Sequence, residues 1–292
     1  ATLSSPSNRF NYTLREPLGV IGAIVPWNFP IMLTMWKLAP ALAAGNTIVI
    51  KPPRETPLGV LELARLFQEA GIPDGVINVV NGSGSTVGNA LASHEGVDKV
   101  AFTGSTSTGR LIMQAASEHI RPVSLELGGK SPNIVFEDAD LESAINGSLF
   151  GIYFAQGQVC ASGTRLFVQE SIYDEFVERF AERAKQIKVG DSSDPETQMG
   201  PQVSEQHLQS IERYVEIGKK EGKLMVGGEG DNSKGFFIQP TVIADLDPEA
   251  VVMQEEIFGP VVGFAKAKDF DHAIEIANNT DYGLTGSVIT NN

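Results

Sequence analysis

Residues 19–25 read Gly-Val-Ile-Gly-Ala-Ile-Val, and this short apolar run decides the fold. It is uncharged and rich in β-branched side chains, which predicts a strand covered by protein on both faces, as in a parallel sheet. A proline-rich turn at residues 26–30 interrupts the run, and residues 31–44 then favour a helix. Residues 47–50, Thr-Ile-Val-Ile, predict the next strand, so this part of the chain has the strand–helix–strand order of a parallel sheet.

The same alternation continues as far as residue 127. Further helices are predicted at residues 56–71, with Thr56 as N-cap, at residues 86–93 and from residue 104 onward; further strands are predicted at residues 76–80 and 99–102. Residues 19–127 therefore predict a parallel, doubly wound domain. Residues 1–18 predict an extended arm with no core of its own.

A second α/β domain is predicted for residues 128–292, with the border near residues 127–132. Residues 122–127 and 133–136 are expected to be strands that leave the first domain. The other predicted strands are residues 166–169, 224–226, 236–243 and 261–265, and the predicted helices are residues 141–154, 173–187, 205–218 and 272–278. The expected fold class is α/β in both domains.

Composition excludes several classes of function. A length of 292 residues with 42% hydrophobic and 20% charged residues indicates a folded chain of about two domains. The formal charge of −14 argues against binding to nucleic acid or to anionic membranes. Residues 17–36 carry no charge, but Pro26, Asn28 and Pro30 interrupt them, so a membrane span is not expected. A single cysteine and the absence of a signal-peptide pattern at residues 1–6 predict a cytoplasmic protein.

Cys160 is the only cysteine in the chain, and it lies near small and polar residues, Ala155-Gln156-Gly157-Gln158, rather than within an apolar run. It cannot form a disulfide within the chain, which leaves apolar filler, metal ligand or nucleophile as its role. No cluster of His or Cys surrounds it in the sequence, so no metal site is predicted. A buried thiol acting as a small hydrophobe is the common alternative to a nucleophile.

Four motifs, in this order, resemble those of the aldehyde dehydrogenase superfamily. They are Pro26-Trp27-Asn28-Phe29-Pro30, Glu126-Leu127-Gly128-Gly129-Lys130, Gly157-Gln158-Val159-Cys160 and Glu255-Glu256-Ile257-Phe258-Gly259-Pro260. The resemblance covers nearly the whole chain and implies a cofactor-binding domain over residues 19–127 and a catalytic domain over residues 128–292. Family members carry further segments on both sides, so the chain is expected to be the central part of a longer member. A homo-oligomer is expected once those arm segments are supplied.

The resemblance also implies catalytic roles. Cys160 matches the nucleophile that adds to an aldehyde, and the Asn28 amide with the backbone N–H of Cys160 matches the donors to the resulting oxyanion. Glu126 matches the general base that activates water for release of the acid. From the residues alone, Asn28 is equally well read as a turn residue and Glu126 as a solvated carboxylate at a strand end.

The expected cofactor is NAD or NADP. Residues 82–88 look like a dinucleotide fingerprint whose third glycine comes one residue late. By resemblance, the pyrophosphate belongs instead at residues 102–109, where a helix opens. The implied cofactor residues are Trp27, Lys51 at the adenosine ribose, Gly84 near the adenine, Gly104, Ser105 and Gly109 at the pyrophosphate, and Glu256 and Phe258 at the nicotinamide. In isolation, Glu255-Glu256 would be read as an exposed acidic pair.

Two departures from the family pattern leave cofactor preference and substrate open. NAD-preferring relatives often carry a glutamate three residues after Lys51, whereas this chain has Arg54 there and Glu55 one residue later. A guanidinium attracts a 2′-phosphate, which favours dual or NADP use. Residues 213–292 resemble the pyrroline-5-carboxylate dehydrogenase branch, while the cofactor half and residues 157–163 resemble broad-specificity aldehyde or betaine-aldehyde types. The alternative function is a non-catalytic body that binds nucleotide or packs on a partner.

Overall fold

The computed structural model describes residues 2–3 and 8–292, which form two compact units divided between residues 127 and 128. Residues 1 and 4–7 of the predicted arm lie outside the described residues. The first unit begins with β1 (Thr2–Leu3) and β2 (Asn11–Tyr12), which pair antiparallel. Its main sheet contains β3 (Val20–Ile24), β4 (Thr47–Lys51), β5 (Ile77–Val79), β6 (Lys99–Thr103) and β7 (Val123–Glu126). Its helices are α1 (Pro30–Ala43), α2 (Leu58–Glu69), α3 (Asn89–Ser93) and α4 (Thr106–Ser117).

The five main strands are all parallel, in the order β5-β4-β3-β6-β7. Alternate strand residues point to opposite faces, so Ile48 and Ile50 pack with α1 and α2 on one face. Val100 and Phe102 pack with α3 and α4 on the other face. Helices therefore cover both faces, which confirms the predicted doubly wound sheet.

Two local predictions in this unit were wrong. β7 does not leave the sheet: it pairs with β6, and its Val123 and Leu125 pack into the α3/α4 face. Thr56 does not cap α2, because the N-cap is Pro57 and makes no side-chain cap bond. The Thr56 hydroxyl instead donates to the Trp27 carbonyl at 3.1 Å.

The second unit is built on a six-stranded sheet in the order β10-β13-β14-β9-β8-β15, in which only β10 runs antiparallel to its neighbour. These strands are β8 (Pro132–Val135), β9 (Arg165–Gln169), β10 (Lys223–Val226), β13 (Thr241–Ala244), β14 (Val261–Ala267) and β15 (Ser287–Ile289). A separate two-stranded ladder joins β11 (Gly230–Asp231) and β12 (Phe237–Ile238).

The helices of this unit are α5 (Leu141–Tyr153), α6 (Tyr173–Ala184), α7 (Glu205–Glu221), α8 (Val251–Gln254) and α9 (Phe270–Asn278). α5 and α6 bury Ile145, Phe176 and Phe180 on one face of the sheet, and α7 and α9 bury Ile211 and Ala273 on the other. The fold class is thus α/β throughout, as predicted. None of the helices in the described part of the chain is long and apolar enough to cross a membrane.

Several elements of this unit differ from the sequence prediction, and β11 is one that was not predicted. Residues 236–243 do not form one strand, because the chain breaks at Gln239-Pro240 into β12 and β13. Proline has no N–H for a ladder, which explains the break. The short α8 and the edge strand β15 were not predicted at all.

Candidate functional site

In the first unit, a topological switch point lies between β3 and β6. The chain goes from β3 to β4 and β5 in one direction, and from β6 to β7 in the other. Ligands of doubly wound sheets bind outside the carboxyl ends of the strands at such a point. Trp27 and Asn28 follow β3, and Gly104 and Ser105 follow β6, so the structure brings these predicted residues to the same edge of the sheet.

The segment after β6 has the geometry of an anion site. Ser105 is the N-cap of α4, and its hydroxyl accepts from the Thr108 N–H at 3.2 Å. A Cβ on Gly104 would lie 2.5 Å from the Phe102 ring, and one on Gly109 would lie 2.5 Å from Leu127. Side chains at either glycine would therefore displace Phe102 or Leu127, and N–H groups at the N-terminus of a 12-residue helix such as this one suit phosphate oxygens.

Gly84 lies on the wall of a groove next to α4. Residues 84–88 form a single π-helical turn before α3, and Ser83 accepts from the Thr86 N–H at 3.1 Å. The groove has a volume of about 830 Å³ and is lined on its other side by Leu111, Ile112 and Ala115 of α4. Apolar side chains of α4 thus lie in the same groove as Ser85, Asn89 and Thr108, a mixed lining that suits a heterocyclic base.

Lys51 and Arg54 have different environments. Lys51 is 5% exposed, and its ammonium donates to the Pro52 carbonyl at 2.9 Å. Burial lowers its pKa, while the nearby Glu55 carboxylate opposes that shift. A Cβ on Gly88 would lie 3.6 Å from the Lys51 stem, so this lysine adjoins the glycine-rich turn. Arg54 is exposed, as is Glu55.

Glu126 is the last residue of β7 and is exposed. Sequence reasoning missed its neighbour Lys37 on α1, whose ammonium donates to the Thr103 hydroxyl at 2.5 Å. Burial lowers the Lys37 pKa, and the Glu126 carboxylate opposes this. The available signal was that Lys37 is the first charge after the uncharged residues 17–36.

In the second unit, Cys160 is half-buried and follows a strained turn. The 3₁₀ turn Phe154–Gly157 contains Ala155 at φ 49° and Gln156 at φ 59°, both in the left-handed region that non-glycine residues rarely adopt. Gly157 has φ 72°, and a Cβ there would lie 2.3 Å from the backbone carbonyl of Gly259. Backbone strain of this kind is maintained only by surrounding structure and concentrates at functional sites.

Gly128 and Gly129 allow Glu256 and the Cys160 segment each to approach the backbone of this glycine pair. The Gly129 N–H donates to Glu256 at 3.2 Å, and a Cβ on Gly128 would lie 2.1 Å from the same carboxylate. A Cβ on Gly129 would lie 2.6 Å from the Cys160 carbonyl. Burial raises the Glu256 pKa, against the Gly129 N–H and the Lys130 charge, which lower it. The structure thus brings the predicted Cys160 and Glu256 to the same pair of glycines.

Two further residues near this candidate site, Lys130 and His207, were not singled out by the sequence analysis. Lys130 is 1% exposed, and its ammonium has no hydrogen-bond partner among the described residues. Burial first, and then Arg165, lower its pKa to about 7. His207 contacts the carbonyl of Phe258 at 2.8 Å. No group of three or more His, Cys, Asp or Glu side chains within residues 2–3 and 8–292 is placed to hold a metal ion.

Comparison with known proteins gives consistent matches over the whole chain. The model of the aldehyde dehydrogenase family matches residues 1–292. An aldehyde dehydrogenase from Emericella nidulans is 52% identical over 293 residues, and retinal dehydrogenase 2 from Homo sapiens is 50% identical over 292 residues. These matches cover 100% and 99% of this chain, which spans 59% and 56% of the two relatives.

Solved structures agree. The NAD⁺ complex of an aldehyde dehydrogenase from Bacillus cereus, 47% identical, superposes with a TM-score of 0.98 and covers 100% of this chain and 60% of that protein. The predicted family and fold class are therefore confirmed. The resemblance of residues 213–292 to the pyrroline-5-carboxylate dehydrogenase branch is not confirmed by these matches.

Proposed function

Because this chain belongs to the aldehyde dehydrogenase family, we propose that it carries out NAD(P)-dependent oxidation of an aldehyde to a carboxylic acid. In this proposal residues 19–127 bind the dinucleotide, residues 128–292 hold the nucleophile, and residues 1–18 are an arm. The observation that carries the proposal is the packing of the Cys160 segment and Glu256 against Gly128-Gly129. No apolar-filler role for Cys160 accounts for that glycine pair or for the strained turn before it.

The reaction begins at sulfur. The Cys160 thiolate adds to the aldehyde carbon, and the resulting oxyanion accepts from the Asn28 amide and from the Cys160 N–H. A nicotinamide held by Glu256 and Phe258 would supply the hydride acceptor, and loss of hydride would leave the substrate carbon as a thioester of Cys160. Glu126 then takes a proton from water, the hydroxyl oxygen attacks the thioester carbon, and the thiolate departs as the acid forms.

The cofactor residues are assigned by their local geometry. Gly104, Ser105 and Gly109 would hold the pyrophosphate at the N-terminus of α4, which suits an anion. The groove beside Gly84 would take the adenine, and Lys51 the adenosine ribose, with exposed Arg54 close by in sequence. Trp27, after β3, would contact the cofactor at the switch point. Glu256 and Phe258 would hold the nicotinamide ribose and ring. The half-buried Glu256 carboxylate suits the ribose, because it can accept hydrogen bonds from the ribose hydroxyls.

One assay tests the proposal. Wild-type protein and Cys160→Ser are each incubated with several aldehydes and with NAD or NADP, and reduced cofactor is measured by absorbance. Wild-type turnover that is lost in the variant, with dinucleotide binding retained by both, supports the proposal. Dinucleotide binding without turnover of any aldehyde in the wild type would favour the non-catalytic alternative. Turnover by Cys160→Ser at the wild-type rate would remove Cys160 as nucleophile.

Location and assembly are further parts of this proposal. The single cysteine suits a reducing compartment, so we place the protein in the cytoplasm. A homo-oligomer is expected from the family resemblance once the arm segments are supplied. Light scattering during gel filtration of the chain with those segments would measure the mass, and a monomer at all concentrations would contradict it.

A further inference from the structure

Phe258 has an unusual backbone conformation that needs support. Its φ is 60°, in the left-handed region that costs a residue with a bulky side chain free energy. The next residue, Gly259, has no room for a side chain, because a Cβ there would lie 2.5 Å from Ile211 of α7. Gly157, ahead of Cys160, packs against the Gly259 carbonyl on the other side. The Phe258 backbone is therefore fixed between α7 and the turn that precedes the nucleophile.

His207, in the first turn of α7, supplies a specific contact to this backbone. Its Nε2 lies 2.8 Å from the Phe258 carbonyl oxygen, and because a carbonyl can only accept, the imidazole donates. The two rings also meet edge to face, with centroids 6.2 Å apart and planes at 67°. The Ser204 hydroxyl caps α7 by accepting from the His207 N–H at 3.2 Å, which fixes the position of the histidine itself.

We propose that His207 is a positioning residue that holds Phe258 in the conformation needed to present its ring to the nicotinamide. The inference rests on the proposed function, because it assigns His207 to the same cofactor site. The imidazole acts through the Phe258 carbonyl and ring. Since both neutral imidazole and imidazolium donate from Nε2, the role does not depend on titration of His207.

Variants separate the two contacts that His207 makes. His207→Phe keeps an aromatic ring and removes the donor, whereas His207→Gln keeps a donor and removes the ring. We expect His207→Phe to lower kcat for aldehyde oxidation roughly tenfold, about the effect of losing one hydrogen bond in the reacting complex. His207→Gln should retain most of the wild-type kcat. An aldehyde carrying deuterium on its carbonyl carbon should show a larger isotope effect in His207→Phe, because hydride transfer becomes limiting.

The chain offers a matched control. His272 occupies the equivalent position of α9, three residues after the capping Asp269, and its N–H donates to that carboxylate at 2.9 Å. His272→Phe changes a histidine at the same helix position without contact to Phe258. It should leave kcat and the isotope effect at wild-type values.

A cofactor-free reaction distinguishes failure of this inference from failure of the proposed function. Hydrolysis of an activated aryl ester uses the Cys160 thiolate but transfers no hydride, so His207→Phe should hydrolyse the ester at the wild-type rate. If the wild type oxidises aldehydes and His207→Phe does so at the same rate, the inference about His207 is overturned and the proposed function stands. Equal losses of ester hydrolysis and oxidation in His207→Phe would also overturn it, since they indicate a general structural role. Absence of aldehyde oxidation in the wild type would overturn the proposed function and this inference together.

Discussion

At the scale of single residues, Glu126 provides the clearest separation of the two halves of the proposed reaction. Glu126→Gln should allow Cys160 to be acylated but should slow hydrolysis of the thioester, because an amide cannot take a proton from water. We expect a burst of about one reduced cofactor per chain followed by slow turnover. Rapid mixing with stopped-flow absorbance would measure both phases.

The control for this measurement is Glu95→Gln, at an exposed position of the same unit. It should show the wild-type steady-state rate. A Glu126→Gln variant with an unchanged steady-state rate and no burst would show that another group activates the water.

Cofactor preference is a second prediction at this scale. NADP should be accepted at least comparably to NAD, and Arg54→Glu should shift the ratio of kcat/KM toward NAD. Because Arg54 is exposed, the shift should be within about fivefold, as for an exposed ion pair worth up to about 1 kcal/mol. The shift should also shrink as salt is added, since screening weakens exposed charges. A strong wild-type NAD preference that Arg54→Glu does not change would show that Arg54 does not face the ribose.

Sequence motifs singled out the proposed reacting residues but not the groups that surround them. Cys160, Asn28 and Glu126 lie in recognisable patterns, whereas Lys37 and His207 are single polar residues within helical stretches. Their contacts, to Thr103 and to Phe258, join residues 66 and 51 positions apart. Separations of that length depend on strand order and helix packing, which local patterns do not determine.

At the scale of elements, apolar periodicity predicted the buried strands and long helices well. β3, β4 and β6 lie within a residue or two of their predicted bounds because each is covered on both faces and carries an uninterrupted apolar run. β15 is an edge strand of three residues, two of them exposed, so it has no such run. β7 was placed outside the first sheet because its alternating pattern does not say which strand it pairs with.

The turn before the nucleophile gives a prediction for an element. Gly157→Ala would put a Cβ at φ 72° and 2.3 Å from backbone atoms of Gly259. The left-handed conformation alone costs roughly 1–2 kcal/mol, and the backbone contact adds to it. We expect a lower urea midpoint for unfolding and a large loss of activity, measured by fluorescence and by the aldehyde assay.

Gly147→Ala is the matched control, because it makes the same substitution within α5, where the new Cβ meets no described atom within 4 Å beyond its chain neighbours and the nearby backbone of its own helix. Replacing a glycine inside a helix should stabilise the protein by up to about 1 kcal/mol. Equal urea midpoints for the two variants would show that the Gly157 turn can relax at no cost.

At the scale of the whole molecule, stability is coupled to pH through buried charge. Burial within the second unit lowers the pKa of Lys130 to about 7, with Arg165 also lowering it and the Glu256 and Glu255 carboxylates raising it. In the unfolded chain a lysine has a pKa of about 10.4. Between these values the unfolded chain binds a proton that the folded protein does not, so folding becomes more favourable as pH rises.

Lys130→Met removes the buried ammonium and should therefore flatten this dependence. The variant should be more stable than the wild type below pH 7, by at most about 5 kcal/mol if the whole pKa difference is realised. Its advantage should shrink as pH rises from about 7 and disappear only above about 10.4, where the wild-type lysine is neutral in both states. Urea midpoints at several pH values would measure the difference. Lys220→Met, at an exposed position, should run parallel to the wild type, and a Lys130→Met curve that is also parallel would show that the ammonium is solvated in the folded protein.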